Sequence, residues 1–270
     1  MAVSDLPEEF AAALDATAPA RGVFGARLVY HQETSSTNDL AAAAADRGEP
    51  EGTTFVASAQ TSGRGRLGRT WISPPGAGLY MSTIIRRAAL GPWITLAGGV
   101  AAADAIRNAT GLPVQIKWPN DIVAVDVSGF RGRRKLAGVL AEAASGSAGV
   151  QHIVLGIGIN VRPAVLPPDL AARASSLEAE LGRTVDAGLL MASVLAALHG
   201  MLQTVERAGA RPLLERWHAL SPSAHGSPIE WDTGAARRTG VTAGLDSDGA
   251  LLASTGDRLE RIVAGEVRWL

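Results

Sequence analysis

Three arginines and three glycines are packed into the short segment from Gly63 to Arg69. Glycine lets the backbone approach a ligand closely, and an arginine guanidinium forms paired hydrogen bonds with a phosphate or a carboxylate. The spacing therefore predicts an anion-binding loop that is mobile until an anion orders it. One alternative is a solvated basic turn. Another is an RNA-binding arginine-glycine segment, but that needs more repeats and more aromatic residues than the 4% found here.

The composition narrows the chemistry that such a loop could serve. The 270 residues include no cysteine, which excludes disulfides, thiolate nucleophiles and cysteine-bound zinc. Group transfer must therefore use oxygen, nitrogen or phosphate. The 25 Lys+Arg and 26 Asp+Glu give a net charge of −1, which argues against non-specific binding of nucleic acid.

The N-terminal residues and the alanine-rich stretch predict a cytoplasmic protein. Asp5, Glu8 and Glu9 replace the basic-then-apolar order of a signal peptide. The alanine-rich stretch from Asp39 to Asp46 is far too short to cross a bilayer.

Alternating and helical apolar patterns must supply the elements that position the loop. They predict an α+β catalytic domain over residues 1–220 and a small β module over residues 221–270. The predicted strands of the first part are Ala26–Glu33, Gly52–Ser58, Leu79–Arg86, Pro113–Trp118, Ile122–Val127, Lys135–Ala143 and Gln151–Val161. The predicted helices are Leu40–Ala45, Trp93–Ala109, Pro168–Leu181 and Ala187–Ala208. The predicted strands of the module are Pro228–Trp231, Thr239–Leu245, Ala250–Ser254 and Leu259–Glu266.

Five segments, taken in order, resemble the biotin protein ligases. They are Ser36-Thr37-Asn38, Gln60 to Trp71, Lys117-Trp118-Pro119-Asn120-Asp121, Lys135-Leu136-Ala137-Gly138 and Gly156-Ile157-Gly158-Ile159-Asn160. The last segment alone is weak, because it lacks the third glycine of a dinucleotide-binding fingerprint and is typical of a buried strand. The resemblance rests on the whole set, which covers roughly residues 27–165.

The resemblance implies both a fold and an activity. The fold would be a mixed β-sheet flanked by helices, like the core of class II aminoacyl-tRNA synthetases, followed by a C-terminal barrel of the SH3 type. The activity would be activation of biotin with ATP and Mg²⁺ as biotinyl-5'-AMP. Transfer of biotin to a lysine of a biotin carboxyl carrier protein domain would follow.

Matching the motifs residue by residue assigns the expected roles. Biotin would be bound by Ser36, Thr37, Gln60, Gly63, Arg64, Trp71, Lys135 and Gly138. The nucleotide would be bound by Arg66, Arg69, Asn120 and Asn160, and Asp121 would hold the magnesium ion. The catalytic groups would be Lys135, Arg66, Arg69 and Lys117.

These roles suit the reaction. The carboxylate of biotin must attack the α-phosphorus of ATP, and the two anions repel each other. Cations and a metal ion would stabilise the charge that develops on the phosphate and on the departing pyrophosphate. The neutral ureido ring needs hydroxyl and amide partners instead. Because the adenylate is prone to hydrolysis, a loop that closes over it would protect it.

Several of these residues have a structural alternative. Ser36 and Thr37 would also serve as helix caps, Trp118 as a core residue and Asp121 as part of a turn. Lys117 would also brace the structure or face solvent, and Lys135 would also form a surface ion pair.

Two other functions remain possible from the sequence. A lipoate protein ligase would typically carry Arg-Arg-x-Ser-Gly-Gly-Gly where this chain has Gly63–Arg69. A ligand-binding or nucleic-acid-binding protein without catalysis would have no need for both Asp121 and Lys135. Operator DNA binding is not expected, because only about 25 residues precede the first predicted strand and a winged helix-turn-helix needs more. A membrane association is not expected either.

Overall fold

The computed structural model describes residues 5–125, 133–147, 149–234, 236–256 and 258–270, which form two β-sheets and seven α-helices. The helices are α1 Glu8–Arg21, α2 Thr37–Asp46, α3 Ile94–Thr110, α4 Pro168–Ala171, α5 Leu177–Leu181, α6 Ala187–Ala208 and α7 Arg211–Leu220. The strands of the larger sheet are β1 Leu28–Thr34, β2 Thr54–Gln60, β3 Gly78–Ile85, β4 Val114–Lys117, β5 Asp121–Ala124, β6 Lys135–Gly146 and β7 Gly149–Asn160. The strands of the smaller sheet are β8 His225–Asp232, β9 Arg237–Leu245, β10 Leu251–Thr255, β11 Arg258–Ile262 and β12 Val267–Trp269.

The larger sheet is mixed and has the strand order β1-β2-β3-β7-β6-β5-β4. Only β1 and β2 run parallel, because α2 connects them, and the other neighbouring strands are antiparallel. The long strands β6 and β7 lie side by side, with Gly138 opposite Gly158 and Leu140 opposite Gly156. This sheet carries the sequence motifs on neighbouring strands and confirms the predicted mixed sheet flanked by helices.

Helices α3 and α6 form the centre of the core. The helical segment Ala88–Thr110, which contains α3, and helix α6 are long and apolar enough to cross a membrane by length and composition alone, but 67% and 50% of their most apolar windows are buried inside the protein. The two helices pack against each other, and α3 also contacts β4, β6 and β7. Their apolar character therefore reflects a packed interior. The predicted span of α6 agrees with its observed bounds.

Two helices were missed by the sequence patterns. Helix α1 has a weak amphipathic pattern and contains Pro19, and α7 is short and begins at Arg211 next to Pro212. Both nevertheless bury large side chains, among them Phe10 and Trp217. Tertiary packing stabilises α1 although its local apolar pattern is weak, whereas α7 is amphipathic and short.

Two predicted elements differ from the structure. The predicted helix Pro168–Leu181 is wrong: it is two short helices, and Ser176 caps the second by accepting a hydrogen bond from the Ala179 amide. The predicted strand Leu259–Glu266 ends at Ile262, and Val267–Trp269 is a separate strand. Part of the predicted strand Ile122–Val127 falls on residues 126–132, outside the described part.

The smaller sheet is antiparallel, with the order β11-β10-β9-β8-β12. Its hairpin turn at Gly249 packs on the larger unit, where the Trp118 indole nitrogen donates to the Gly249 carbonyl at 3.1 Å. Helix α7 also contacts β9. The division at residue 220 and the closure of this sheet into a barrel remain predictions.

Candidate active site

Two cavities meet over β3, β6 and β7. The first, which we call the deep pocket, has an empty volume of about 470 Å³ and is lined by Ser36, Thr37, Gln60, Gly138 and Gly158, among others. The second, which we call the cleft, has about 1320 Å³ and is lined by Arg69, Lys117, Asp121, Asn160 and Glu266, among others. Residues that line both cavities are Gly65, Arg66, Trp71, Asn120 and Lys135. A ligand with two chemically different halves would place their junction there.

A chain of neutral hydrogen bonds forms the polar wall of the deep pocket. The Gln60 Oε1 accepts from the Thr37 amide at 2.9 Å and from the Thr37 hydroxyl at 3.2 Å. On its other side the Gln60 Nε2 donates to the Ser73 hydroxyl at 2.8 Å. Behind Thr37, the Ser82 hydroxyl lies 2.8 Å from the Thr37 Oγ1 and 2.5 Å from the Asn38 Oδ1. These bonds fix the orientation of the amide and hydroxyl groups before any ligand is bound.

Helix α2 presents its first turn to this wall. Ser36 occupies the N-cap position and is buried, yet its side chain forms no capping hydrogen bond. The Thr37 side chain is directed toward Gln60. The structural alternative, in which both residues act only as caps, is therefore not supported by the side-chain contacts.

One carboxylate joins the deep pocket to the arginine-glycine loop. The Glu142 Oε2 accepts from the Asn38 Nδ2 at 2.6 Å and from the Arg64 guanidinium at 2.7 Å. Arg64 also lies 3.0 Å from a carboxylate oxygen of Asp39. The loop is therefore held to the rim of the pocket by its first arginine.

Two glycines on neighbouring strands make room for Trp71. A β-carbon at Gly158 would lie 2.6 Å from the Trp71 ring, and one at Gly138 would lie 3.0 Å from it. Gly156 has the same role for Asn38, whose Oδ1 would be 2.2 Å from an added β-carbon. Because no larger residue fits at Gly156 or Gly158 without movement, these glycines set the position of the pocket walls.

Lys135 lies at the junction of the two cavities. Its ammonium nitrogen is 2.6 Å from the Asp121 carboxylate and 5.0 Å from the centre of the Trp71 ring. Lys135 begins β6 and Asp121 begins β5, and the two strands pair antiparallel. Both side chains are one quarter to one third exposed (25% for Asp121, 33% for Lys135), so the cation remains open to a ligand.

The loop from Gly63 to Arg69 forms a compact turn. The Gly65 amide donates to the Arg69 carbonyl at 2.7 Å, and the Trp71 amide donates to the Gly63 carbonyl at 2.8 Å. Leu67 adopts a left-handed conformation with φ of 57° and exposes 67% of its surface. A non-glycine residue in this region is uncommon, so the tight turn carries a modest conformational cost.

The remaining loop arginines face the cleft. The Arg66 guanidinium donates to the Asn120 Oδ1 at 3.3 Å, and Asn120 in turn donates to the Val139 carbonyl at 2.7 Å. Arg69 forms an ion pair with Glu266, which precedes β12. Burial lowers the pKa of Arg66, and the hydrogen bond from Arg69 lowers the pKa of Glu266.

Lys117 lies deeper in the cleft than the other cations. Burial lowers the pKa of its ammonium group, and the neighbouring carboxylates of Asp121 and Glu266 act in the opposite direction. Trp118, the next residue, is 3% exposed, which agrees with its interpretation as a core residue. Asn160 donates to the Ser175 carbonyl at 3.0 Å and thereby ties the end of β7 to the segment before α5.

Comparisons with known proteins agree with this arrangement. Residues 30–160 match the model of the biotin/lipoate A/B protein ligase family. The bifunctional ligase/repressor BirA of Bacillus subtilis is 32% identical over 91% of this chain and 74% of its own length. The biotin–[acetyl-CoA-carboxylase] ligase of Mycobacterium tuberculosis is 32% identical over 87% of this chain and 86% of its own. The chain belongs to the biotin protein ligase family.

A solved biotin protein ligase has the same fold. The Aquifex aeolicus enzyme, in complex with biotin and ATP, superposes with a TM-score of 0.76 at 26% identity, covering 91% of this chain and 99% of that one. The matched family model includes lipoate ligases as well, but the Mycobacterium tuberculosis relative and the Aquifex aeolicus enzyme are named as biotin ligases.

The structure brings together almost all the residues that the motifs assigned to the ligase site. Every one of them except Gly63 lines the deep pocket, the cleft or both. The Gly63 carbonyl instead accepts a hydrogen bond from the backbone amide of Trp71. A β-carbon at Gly63 would lie 2.4 Å from the Trp71 carbonyl oxygen. The individual roles in binding and catalysis remain predictions.

Sequence reasoning missed four residues that support the ligase site. Asn38 and Ser82 extend the hydrogen-bond chain, Glu142 holds Arg64, and Glu266 pairs with Arg69. Asn38 lies in a motif and Glu142 lies on β6 beyond one. Ser82 and Glu266 lie outside every motif, and only the folded chain brings them to the site.

Proposed function

We propose that this protein activates biotin with ATP as biotinyl-5'-AMP and then transfers the biotinyl group to a lysine of an acceptor protein. The uncharged polar wall of the deep pocket, with Ser36, Thr37 and Gln60, would take the ureido ring, and the cationic cleft would take the nucleotide. The observation that carries the proposal is Lys135, whose ammonium lies where the two cavities meet. That is the point at which the carboxylate of biotin must reach the α-phosphate of ATP.

The chain supplies positive charge on both sides of this point. Lys135 and Arg66 line both cavities, and Lys117 and Arg69 line only the cleft. In the first step the carboxylate oxygen bonds to the α-phosphorus and pyrophosphate leaves. Lys135 and Arg66 would stabilise the charge on the phosphate, and Lys117 and Arg69 would hold the departing pyrophosphate.

In the second step the neutral amine of the acceptor lysine attacks the acyl carbon of the adenylate. A carbon–nitrogen bond forms, the bond from the acyl carbon to the phosphate oxygen breaks, and AMP leaves. Lys135 would stabilise the oxygen that becomes negative. The loop from Gly63 to Arg69 would limit the access of water to the intermediate between the two steps.

The chemistry of the cleft suits a magnesium ion. Magnesium is commonly held by one or two carboxylates together with substrate phosphates and water, so a dedicated cage of protein ligands is unnecessary. Asp121 is the carboxylate at the cavity junction, and among the described residues no larger cluster of acidic or histidine ligands exists. We assign the metal to Asp121; when bound, it would neutralise phosphate charge and orient the pyrophosphate.

The acceptor proposed is the biotin carboxyl carrier protein domain of a biotin-dependent carboxylase. The name of the Mycobacterium tuberculosis relative supports this class of partner. We also propose that residues 221–270 form a separate C-terminal barrel, since β8 to β12 pair only with one another in the described sheet. An ATP-dependent ligase of this kind would act in the cytoplasm.

The test is an ATP–pyrophosphate exchange assay with biotin, lipoate or octanoate as the acid. We expect exchange with biotin and background rates with the other two acids. Addition of a purified carrier domain should then convert the bound intermediate into one biotinyl-lysine per domain. Exchange that depends on lipoate but not on biotin would reject the proposal.

A further inference from the structure

The distribution of lysine in this chain is uneven. Of the 25 basic residues counted as lysine or arginine, only Lys117 and Lys135 are lysines, and the others are arginines. Both lysines line the cleft that we assign to the nucleotide. No lysine therefore lies anywhere on the outer surface, while the sequence uses arginine freely there.

Arginine and lysine differ in the property that matters for this reaction. A lysine amine becomes a nucleophile once it loses a proton, and its ordinary pKa of about 10.4 leaves a small neutral fraction near pH 8. The guanidinium of arginine stays protonated and delocalised in proteins and does not act as an acyl acceptor. Cysteine, whose thiolate also attacks activated acyl groups, is absent from the chain.

On the surface of this protein, arginine forms the ion pairs that lysine commonly forms. Exposed ion pairs such as Arg211–Glu215, Arg27–Glu49 and Arg173–Asp169 keep one cation beside each carboxylate. Replacing these arginines by lysine would preserve the charge and weaken each pair only slightly, because exposed pairs contribute little to stability. Electrostatics alone therefore does not require arginine at these positions.

We propose that the surface of this ligase is inert toward its own activated biotin, because every side-chain amine of the chain is confined to the cleft. The inference rests on the proposed function, since it concerns the biotinyl-adenylate that the site would form. Adenylate that escapes from the cleft meets arginines on the enzyme and lysines on other proteins. The acceptor carries the nucleophile, and the enzyme surface does not.

The two cleft lysines are restrained in different ways. Lys135 is in an ion pair with Asp121 at 2.6 Å, which fixes the position of its side chain. Lys117 is enclosed by the walls of the cleft and is therefore not an amine of the outer surface. Acylation of either would convert a cation into a neutral amide and remove charge from the site.

The test uses synthetic biotinyl-adenylate, which supplies the reactive species without any need for catalysis. The wild-type protein and two variants of an exposed residue are incubated with it at pH 8, together with serum albumin as a lysine-bearing reference. Arg211→Lys places one amine on helix α7, where the wild-type side chain is 87% exposed. Arg211→Gln is the control at the same position, because it removes the guanidinium and its ion pair with Glu215 without adding an amine. Arg27→Lys, at a side chain that is 61% exposed, repeats the test elsewhere.

Peptide mapping by mass spectrometry then counts biotin on side chains, separately from the N-terminal amine. We expect albumin and both lysine variants to be labelled, the latter at the introduced residue. Side-chain labelling of the wild type and of Arg211→Gln should be at least about tenfold lower. Wild-type labelling equal to that of the lysine variants, on any other type of side chain, would overturn the inference.

Absence of label at both introduced lysines would overturn it as well, since the lack of lysine would then not explain the inertness. The proposed function is tested separately by biotin-dependent pyrophosphate exchange. A protein that has no exchange activity but shows the expected labelling pattern would contradict only the proposed function. Exchange activity together with biotin on the surface side chains of the wild type would contradict only the inference of an inert surface.

Discussion

The deep pocket and the cleft adjoin each other but are built from different interactions. In the deep pocket, uncharged groups bond to one another: Gln60 to Thr37 and Ser73, and Ser82 to Asn38. In the cleft, full charges are paired, as in Lys135–Asp121 and Arg69–Glu266. The first arrangement is already oriented for a neutral polar ring. In the second, carboxylates occupy positions beside the cations that an anionic ligand would take.

This difference determines what each region must do when a ligand binds. Neutral partners in the deep pocket keep their bonds and use their remaining donors and acceptors. The charged partners of the cleft must exchange one ion pair for another. This exchange costs little free energy because these side chains are partly exposed. Mutations in the deep pocket should therefore alter biotin binding, and mutations in the cleft should alter the chemical step.

The largest expected effect is at the junction of the two regions. Lys135→Ala should slow biotin-dependent pyrophosphate exchange on the order of 100-fold, as the loss of one donor to a developing charge does. Thermal stability should change little, because Lys135 is partly exposed. Lys135→Arg is the control that retains the charge. Normal exchange by the alanine variant would remove Lys135 from the catalytic groups.

A smaller and more selective effect is expected in the deep pocket. Thr37→Val removes the hydroxyl that bonds to Gln60 and should raise KM for biotin by roughly 5- to 15-fold, the equivalent of about 1–1.5 kcal/mol. KM for ATP should stay unchanged, because Thr37 does not line the cleft. Ser82→Ala breaks the same chain behind the wall and should have a weaker effect. An equal change in both KM values would show that the two regions are not separable.

The pH dependence should distinguish the cleft from the pocket. Burial lowers the pKa of Lys117, so its ammonium is lost at a lower pH than that of an ordinary lysine. We expect kcat/KM for ATP to fall on the alkaline side, and Lys117→Arg to retain about threefold more activity above pH 9, because arginine stays charged. KM for biotin should not change over the same alkaline pH range. Identical alkaline limbs in the two proteins would contradict the prediction.

The lowered pKa of Lys117 affects the stability of the fold in the opposite direction from its effect on activity. Burial of the Lys117 ammonium opposes the folded state at neutral pH, and this penalty disappears as pH rises through the lowered pKa toward the ordinary value of about 10.4. Lys117 therefore opposes folding less at alkaline pH, where it supports catalysis less.

The smallest effect is expected where the two regions are linked. Glu142→Gln weakens the contacts with the buried Asn38 and with Arg64. Because the side chains of Glu142 and Arg64 are 37% and 40% exposed, KM for biotin should rise less than about fivefold. The bound intermediate should also dissociate faster, as measured by release of radiolabelled adenylate. Asp39→Asn is the matched control, since it affects only the second partner of Arg64. An effect of the control as large as that of Glu142→Gln would assign the anchoring to the whole acidic rim.

The sequence predicted the larger sheet well, because its strands carry strong apolar patterns and turn residues. Helix α6 has an extended apolar face and was predicted to its observed bounds. Helix α1 buries few of its residues, so its sequence has no clear helical spacing of apolar residues and was not predicted as a helix. The segment 168–181 has helical composition throughout, yet its first helix ends at Ala171 and a second begins only after Ser176, which caps it.

The candidate site divides in the same way. Lys135, Asp121 and the loop arginines could be predicted because each stands in a contiguous motif. Ser82 and Glu266 could not, because their proximity depends on strand pairing and on the packing of β12 against β8. A residue whose importance comes from its spatial neighbours leaves no local pattern in the sequence.

The hydrogen bond from Trp118 to the Gly249 carbonyl has a consequence for chimeric enzymes. Trp118 follows Lys117 directly and precedes the Pro-Asn-Asp turn of the cleft, while Gly249 belongs to a hairpin of the smaller sheet. A chimera that takes residues 221–270 from another ligase would have to offer a carbonyl at the same place. Without it, the buried Trp118 indole N–H beside the cleft would lose the acceptor that it has among the described residues. Grafted C-terminal segments should therefore succeed or fail according to this one turn, even when both parent enzymes are fully active.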